Sequence, residues 1–246
     1  MNILVCISKV PDTTTKIEFT DNNTKFKTAG VQYIVNPSDE WYALVRALEI
    51  KESGGGNVTI ITVGTVEDDA VIRKALAIGA DDAVRINAEP SDAFYVASQI
   101  AAYAQGKNFD LIITGKETID HNNSEVGGML AELLGMEYVA PVNKLDMNGR
   151  LARMESEVSG ALEVFEAELP LVISAAKGMA EQRIPNMRGI MAARTKPINV
   201  IEPAAVQSNV KIVSYETPAA KGSVKMIAPE NMDELVALLH NEAKVI

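Results

Sequence analysis

Cysteine and histidine are nearly absent from the chain: its 246 residues include one cysteine, Cys6, and two histidines, His121 and His240. A single thiol excludes an intrachain disulfide, and so few nitrogen and sulfur ligands argue against a zinc-type site. We therefore expect no bound metal. Because small secreted domains usually carry paired cysteines, this composition favours a reducing compartment.

Familiar catalytic motifs are also missing. The sequence contains no Walker-type phosphate loop, no G-x-S-x-G turn and no G-x-G-x-x-G fingerprint. These absences count against Walker-type NTPases, serine hydrolases and dehydrogenases with the usual dinucleotide fingerprint. A nucleotide-hydrolysing or adenylating enzyme on a similar fold is an alternative of another class, but it needs a glycine-rich phosphate loop that the chain lacks. The residue types present offer no convincing catalytic constellation.

Positive charge and long apolar runs are scarce. The chain has 23 Lys and Arg against 33 Asp and Glu, a net charge of −10. This balance argues against nucleic-acid binding, which requires basic side chains that displace counterions. No run reaches the roughly 18 apolar residues of a membrane span, so we expect no membrane insertion. The start, MNILVCISKV, has no basic segment before it, and we expect a cytoplasmic protein without a signal peptide.

Short apolar runs alternate with longer amphipathic ones through most of the chain. The runs that predict strands lie at 3–7, 58–63, 83–86, 110–114 and 171–176. The patterns that predict helices lie between Pro37 and Gly54, at about 67–78, at about 91–105 and after Glu125. Continuous apolarity suits strands that are buried on both faces. The alternation predicts a Rossmann-like α/β fold, with a doubly wound and mostly parallel sheet.

The pattern changes after about residue 143. Asn148-Gly149 separates two strand-like arms, which predicts a hairpin, and 160–169 alternates apolar and charged residues like a half-exposed strand. We place one nucleotide-binding domain at 1–200 and a C-terminal arm at 201–246, with a short helix at about 229–243. The arm cannot bury much against itself, so we expect it to pack on a partner subunit. The alternative is a tail without fixed contacts.

Four loops follow predicted strands or open predicted helices: Cys6 onward, 36–39, 63–65 and 115–128. Open α/β sheets bind ligands at the carboxyl ends of their strands. A helix N-terminus offers unpaired N–H groups and a partial positive charge, which suit a phosphate. The loops therefore predict a nucleotide site.

The fourth loop, GKETIDHNNSEVGG, carries most of this prediction. Gly115 would let a ligand approach the backbone closely, and Asn122, Asn123 and Ser124 could bond to it. The same three polar residues are also common helix caps. Chemistry alone leaves both interpretations open.

Five separated blocks of the sequence carry a family resemblance. They are SKVPDTTTKI (8–17), NPSDEWYALVRALEIKE (36–52), KALAIGADDAVRI (74–86), GKETID (115–120) and PNMRGIMAARTKPINVI (185–201). Together they resemble the β subunit of electron transfer flavoprotein, in order and with similar spacing. The resemblance implies a non-catalytic electron carrier, half of a heterodimer whose α subunit holds most of the FAD. It further implies that electrons arrive from acyl-CoA dehydrogenases, as in fatty acid β-oxidation, and leave to a quinone oxidoreductase.

The resemblance also implies a structural AMP. Carried over by motif, its site comprises Cys6, Asn36, Pro37, Ser38, Asp39, Val63, Gly64, Gly115, Asp120, Asn122, Asn123, Ser124, Glu125 and Val126. AMP-binding members often have Asn-Gln-Thr where this chain has Ser124-Glu125-Val126, and Glu125 would repel a phosphate. Bifurcating members bind a second FAD here and take electrons from NADH. We favour AMP, with a second FAD as the alternative.

A docking loop for the dehydrogenases is carried over to about 177–191, KGMAEQRIPNMRGIM. The resemblance implies an exposed apolar anchor in this loop, and we assign it to Met179. A flexible methionine suits an anchor that must fit several partners. Arg183 and Arg188 could add charge contacts. The alternative is that Met179 belongs to the local core.

Overall fold

The computed structural model describes residues 1–37 and 39–246. Its strands are β1 (Asn2–Cys6), β2 (Lys9–Pro11), β3 (Phe19–Thr20), β4 (Lys25–Phe26), β5 (Tyr33–Val35), β6 (Asn57–Gly64), β7 (Asp82–Asn87), β8 (Leu111–Gly115), β9 (Glu137–Val142), β10 (Lys144–Asn148), β11 (Leu151–Val158), β12 (Ala161–Glu168), β13 (Leu171–Ala175) and β14 (Asn199–Ile201). Its helices are α1 (Asp39–Gly54), α2 (Asp69–Ile78), α3 (Ala93–Ala104), α4 (Val126–Leu134), α5 (Met187–Thr195) and α6 (Met232–Leu238). A 3₁₀ turn (Val66–Asp68) precedes α2, and a π-helical turn (Leu239–Ala243) follows α6.

Seven strands form the central sheet, in the order β14-β7-β6-β1-β8-β13-β9. Every described pairing in this sheet is parallel, which confirms the predicted doubly wound α/β fold. Leu4 in β1 stands beside Thr59 of β6 on one side and Ile112 of β8 on the other. The strand order reverses at β1, so the carboxyl ends of β1 and β8 flank a topological switch point.

Helices cover both faces of the sheet because successive strand residues point to opposite sides. Ile3 and Val5 of β1 belong to a buried cluster that includes residues of α1 and α2. Leu4 and Cys6 belong to a second cluster that includes residues of α3 and α4. The continuous apolar runs that predicted these strands reflect this two-sided burial.

A smaller antiparallel sheet, in the order β10-β11-β12, stands beside the central one. The predicted Asn-Gly hairpin is confirmed, with Gly149 at a φ of 62° in its turn. Ala152 and Met154 of β11 are buried in the core that α1 and α2 share. Strand β12 is exposed along nearly its whole length, including Leu162 and Val164, whereas its alternating sequence predicted a half-exposed strand.

Beyond Ile201 the chain forms an arm with no further strand and with no buried residue in α6. It exposes many large apolar side chains: Val210, Ile212, Val213, Val224, Met226, Met232, Val236, Val245 and Ile246. Packing of the arm on a partner subunit stays a prediction. None of the described helices is long and apolar enough to cross a lipid bilayer.

Candidate functional site

A cavity of about 520 Å³ opens at the carboxyl ends of β1, β6 and β8. Cys6, Ile61, Val63 and Thr114 lie on its strand side. Its volume falls in the range of roughly 300–1,000 Å³ that is typical of small-molecule sites. The cavity therefore lies at the switch point of the sheet, among the loops from which the sequence predicted a site.

The structure brings about half of the predicted site residues onto the cavity wall. Those that line it are Cys6, Val63, Gly115, Asp120, Asn123, Glu125 and Val126. Those that are described but do not line it are Asn36, Pro37, Asp39, Gly64, Asn122 and Ser124. Ser38 lies outside the described residues.

Asn36 and Asp39 hold the loop that follows β8. The buried Asn36 side chain donates from Nδ2 to the Glu117 carbonyl (2.8 Å), and its Oδ1 accepts from the Ile119 N–H (3.1 Å). Asp39 Oδ2 accepts from the Glu117 N–H (3.3 Å). Both side chains therefore position the loop from behind and do not line the cavity as the sequence suggested.

Gly115 is required by packing beneath the loop. A Cβ at this position would lie 2.7 Å from Glu40 Cγ and 3.3 Å from the Glu40 backbone nitrogen. Because the Glu40 side chain is buried and bonded to Ser8, it cannot easily yield, and a larger residue would push the loop away from α1. Gly115 also lines the cavity, so a close approach of a ligand to its backbone stays a prediction beside this packing requirement.

Glu40 is a buried acid on the cavity wall that the sequence pattern did not predict. Its Oε2 accepts from the Ser8 N–H (2.5 Å), and its Oε1 accepts from the Ser8 hydroxyl (2.8 Å). Burial raises the pKa of Glu40 to about 8, and the nearby carboxylates of Asp120 and Asp39 act in the same direction. The two bonds from Ser8 oppose this shift without cancelling it.

Glu40 predicts a specific pH dependence of stability. Its pKa is raised from 4.5 to about 8, so between these values the folded chain binds a proton that the unfolded chain releases. The stability from this group is complete below pH 4.5 and is lost as the pH rises through about 8. Relative to Glu40→Gln, the wild-type free energy of unfolding should fall by up to about 1.4 kcal/mol per pH unit in that window.

Urea denaturation of both proteins from pH 5 to 8 measures this difference. The glutamine retains an acceptor for the Ser8 N–H and a partner for its hydroxyl, so it serves as an isosteric control. Parallel pH profiles for the two proteins would mean that Glu40 is ionised throughout the window.

Neighbouring Cys6 is no reactive thiol, because burial and then Glu40 raise its pKa above the ordinary value.

The first turn of α4 lacks a side-chain cap and begins at the cavity wall. Glu125 is its N-cap residue and makes no side-chain capping bond. Asn123 Nδ2 donates to Glu125 Oε2 (3.1 Å) instead, and the Ser124 hydroxyl donates to Glu117 Oε2 (2.8 Å). These bonds overturn the interpretation of Asn123 and Ser124 as caps of α4.

Two glycines follow Val126 at the start of α4, and of these Gly127 is buried and Gly128 is half-buried. A Cβ on Gly127 would lie 2.6 Å from Tyr138 Oη and 2.8 Å from Thr114 Oγ1. Packing against β8 and β9 therefore excludes a larger residue at this position. N–H groups at a helix start that has no side-chain cap are suitable donors to a phosphate.

Acidic side chains outnumber basic ones on the wall. The carboxyl groups are those of Glu40, Asp68, Glu89, Asp92, Glu117, Asp120 and Glu125, against the ammonium groups of Lys9 and Lys116. Lys9 pairs with Asp68 (3.2 Å), and Lys116 pairs with Glu117 (3.0 Å). Both lysines are already engaged, so the backbone N–H groups at the start of α4 are the donors left for an anion.

Further wall residues had no local signal in the sequence. Besides Glu40, they include Asp68, residues 89–94 and 96 at the start of α3 and in the loop before it, and three residues of the arm (Asn209, Val210 and Ile212). Ser8 and Lys9 also line the cavity, and they belong to the loop after β1 from which the sequence predicted the site. An acid at an otherwise apolar helical position could have singled out Glu40. Nothing in the sequence near the arm indicates that it reaches this cavity.

The predicted anchor Met179 is buried. Its side chain is 5% exposed and belongs to the core cluster shared with α1 and α2. The turn after β13, in which the Met179 N–H donates to the Ala176 carbonyl (3.3 Å), carries the side chain inward. The prediction of an exposed anchor at Met179 is therefore wrong.

Other residues occupy the surface of the docking loop. Ile184 is 84% exposed and Met187 is 72% exposed. Arg183 makes a bidentate pair with Glu52, at 2.6 Å and 3.0 Å, while Arg188 is exposed on α5. Arg183 is thus tied to α1 rather than free for a partner.

A seven-stranded parallel sheet with a cavity at its switch point defines the class of Rossmann-like α/β proteins. A family model described as "Electron transfer flavoprotein domain" matches residues 23–206. The chain belongs to the electron transfer flavoprotein family, as a β-type subunit with a role in electron transfer.

Three similar proteins match the chain over all or most of its length. "Electron transfer flavoprotein subunit beta" of Bacillus subtilis (strain 168) is 35% identical over 260 residues, covering 100% of both chains. The protein of the same name from Syntrophomonas wolfei is 36% identical over 225 residues, which cover 91% of this chain and 88% of that one. "Electron transfer flavoprotein subunit beta, mitochondrial" of Oryza sativa subsp. japonica is 33% identical over 257 residues, covering 100% of both chains.

Among residues 1–37 and 39–246, no group of three metal-ligating side chains comes together.

Proposed function

We propose that this chain is the β subunit of a heterodimeric electron transfer flavoprotein and that its cavity holds a structural AMP. The α subunit would hold most of the FAD, which supplies the redox chemistry when bound. Electrons would come from acyl-CoA dehydrogenases in fatty acid β-oxidation and pass to a quinone oxidoreductase. The family assignment supports this role, and the cavity at the switch point is the observation that carries the ligand proposal.

The phosphate of AMP would lie at the start of α4. The N-terminus of α4 has no side-chain cap, and Glu125 and Val126 at its start line the cavity, which supports backbone N–H donors at this point. Glu125 is engaged by Asn123 Nδ2, and Glu40 with a pKa of about 8 is mainly neutral at pH 7. Both features reduce the repulsion that the excess of wall carboxyl groups would otherwise exert on a phosphate.

The arm would supply much of the contact with the α subunit. Its exposed valines and methionines form apolar surface that a soluble monomer rarely leaves uncovered. We place the dehydrogenase-docking anchor at Ile184, since it is the most exposed large apolar side chain of the docking loop. Cytoplasmic location remains our proposal, and the rice relative is named as mitochondrial.

Counting the nucleotides released by acid from the purified complex tests the ligand. The chain is co-expressed with the α subunit from the same genome, and we expect one FAD and one AMP per heterodimer. Two FAD and no AMP would replace this proposal with the bifurcating alternative, in which NADH is the donor. FAD alone would refute a nucleotide in the cavity, and a complex without flavin would refute the electron-carrier role.

A matched variant assigns the AMP to this cavity. Asn36→Ala removes the amide that holds Glu117 and Ile119 without adding bulk. We expect it to lower the AMP content while FAD stays at one per heterodimer. Unchanged AMP in this variant would place the nucleotide elsewhere in the complex.

A further inference from the structure

The C-terminal arm forms part of the cavity wall. Val210 and Ile212 line the cavity together with Phe94 and Val96 of α3. These four side chains add apolar surface to a wall that also carries seven carboxyl groups and two ammonium groups. The arm begins directly after β14, the last strand of the sheet. Its first part therefore crosses the mouth of the cavity before the rest of the arm extends away from the domain.

Asp92 fastens this segment of the arm with one carboxylate. Its Oδ2 accepts from the Ser208 hydroxyl (2.6 Å), the Asn209 N–H (2.7 Å) and the Val210 N–H (2.9 Å). Its Oδ1 accepts from the Tyr95 N–H (2.6 Å) and thereby caps α3. Burial alone would raise the pKa of Asp92, but these hydrogen bonds lower it to about 2, so the group is ionised at any physiological pH.

Two further attachments flank the Asp92 clamp, by which we mean the hydrogen bonds from Ser208, Asn209 and Val210 to the Asp92 carboxylate. Before it, Gln99 Nε2 donates to the Ala204 carbonyl (2.9 Å) and Gln99 Oε1 accepts from the Ala204 N–H (2.7 Å). After it, the Tyr215 ring stacks on Phe19 with centroids 4.8 Å apart, and the Tyr215 N–H donates to the Asn23 carbonyl (2.7 Å). The stretch from Ala204 to Tyr215 is therefore held at both ends and in its middle.

We propose that Val210 and Ile212 are ligand-contacting residues of the nucleotide site and that Asp92 is the positioning residue that holds them against the ligand. The inference rests on the proposed function insofar as the ligand is a nucleotide. The α4 terminus provides donors for a phosphate, whereas the apolar side chains of the arm and α3 provide surface for the flat ring system. The site is thus completed by a segment outside the Rossmann-like core.

The clamp can be broken without removing the helix cap. Asp92→Asn retains an oxygen that can cap α3, because asparagine is as good an N-cap as aspartate. Its amide nitrogen cannot accept the three hydrogen bonds from the arm. The double variant Val210→Ala and Ile212→Ala instead truncates the wall and leaves the clamp intact. Val213→Ala is the control, since Val213 is on the same arm but does not line the cavity.

The experiment measures release of labelled AMP from the complete heterodimer, with the melting temperature followed in parallel. We expect Asp92→Asn and the double variant to release AMP about tenfold faster, which corresponds to the loss of one good apolar contact. Val213→Ala should match the wild type. Bound AMP should also slow tryptic cleavage after Lys211 in the wild type but not in Asp92→Asn.

The outcomes separate this inference from the proposed function. Wild-type release rates in both altered proteins would overturn the arm as a wall of the site. Failure of the wild-type complex to bind AMP or FAD in this cavity would overturn the ligand proposal, and the arm contacts with it. If AMP leaves the Asp92→Asn complex faster only to the extent that its melting temperature also falls, Asp92 has a purely structural role. This outcome would also contradict the inference.

Discussion

Met179→Glu is expected to lower the free energy of unfolding by about 4 kcal/mol, because it places a carboxyl group in an apolar core. The Met179 side chain is 5% exposed and lies among the buried residues that β13, α1 and α5 contribute. In a chain of this size, each kcal/mol lowers the melting temperature by roughly 2–4 °C. Thermal unfolding of the complex should therefore show a decrease of about 10 °C.

The conservative control is Met179→Leu. It preserves volume and apolarity, so we expect a loss below about 1.5 kcal/mol. A Met179→Glu protein with wild-type stability but slow reduction by a dehydrogenase would restore Met179 as the exposed anchor. Loss of FAD together with stability is expected instead, because a distorted core cannot present the subunit interface.

Ile184→Glu is expected to lower kcat/KM for reduction of the heterodimer's FAD by acyl-CoA dehydrogenase about 30-fold, with the melting temperature unchanged. Anchoring side chains at protein interfaces are worth about 2 kcal/mol or more, which corresponds to that factor. Ile184 is 84% exposed, and Met187, three positions further along the chain, is 72% exposed. Surface substitutions without buried contacts usually change stability by less than about 0.5 kcal/mol.

Stopped-flow reduction of the flavin measures this effect directly. The matched control is Val66→Glu, which adds the same charge at another exposed apolar position, outside the docking loop. An equal decrease in both variants would indicate general charge repulsion rather than an anchor. A wild-type rate for Ile184→Glu would rule out Ile184 as the contact.

The amino-acid sequence alone determined the fold and the end of the sheet at which the cavity lies. Strands such as β1 and β8 are buried on both faces, so their continuous apolar runs are visible without any structure. Helix periodicity and the Asn148-Gly149 turn are equally local signals. Parallel strands separated by helices place their carboxyl ends at one edge, and the site followed from that rule.

Tertiary structure alone decided the roles of individual residues. Met179 and Ile184 are both apolar residues in one polar loop, and only the turn after β13 decides which of them enters the core. Asn36 was placed near the correct loop, but its amide is occupied by backbone groups more than 80 positions away. The clamp between Asp92 and Ser208 spans 116 positions. Such contacts join residues that are far apart in the sequence and meet only in the folded chain, so a local pattern of residues cannot predict them.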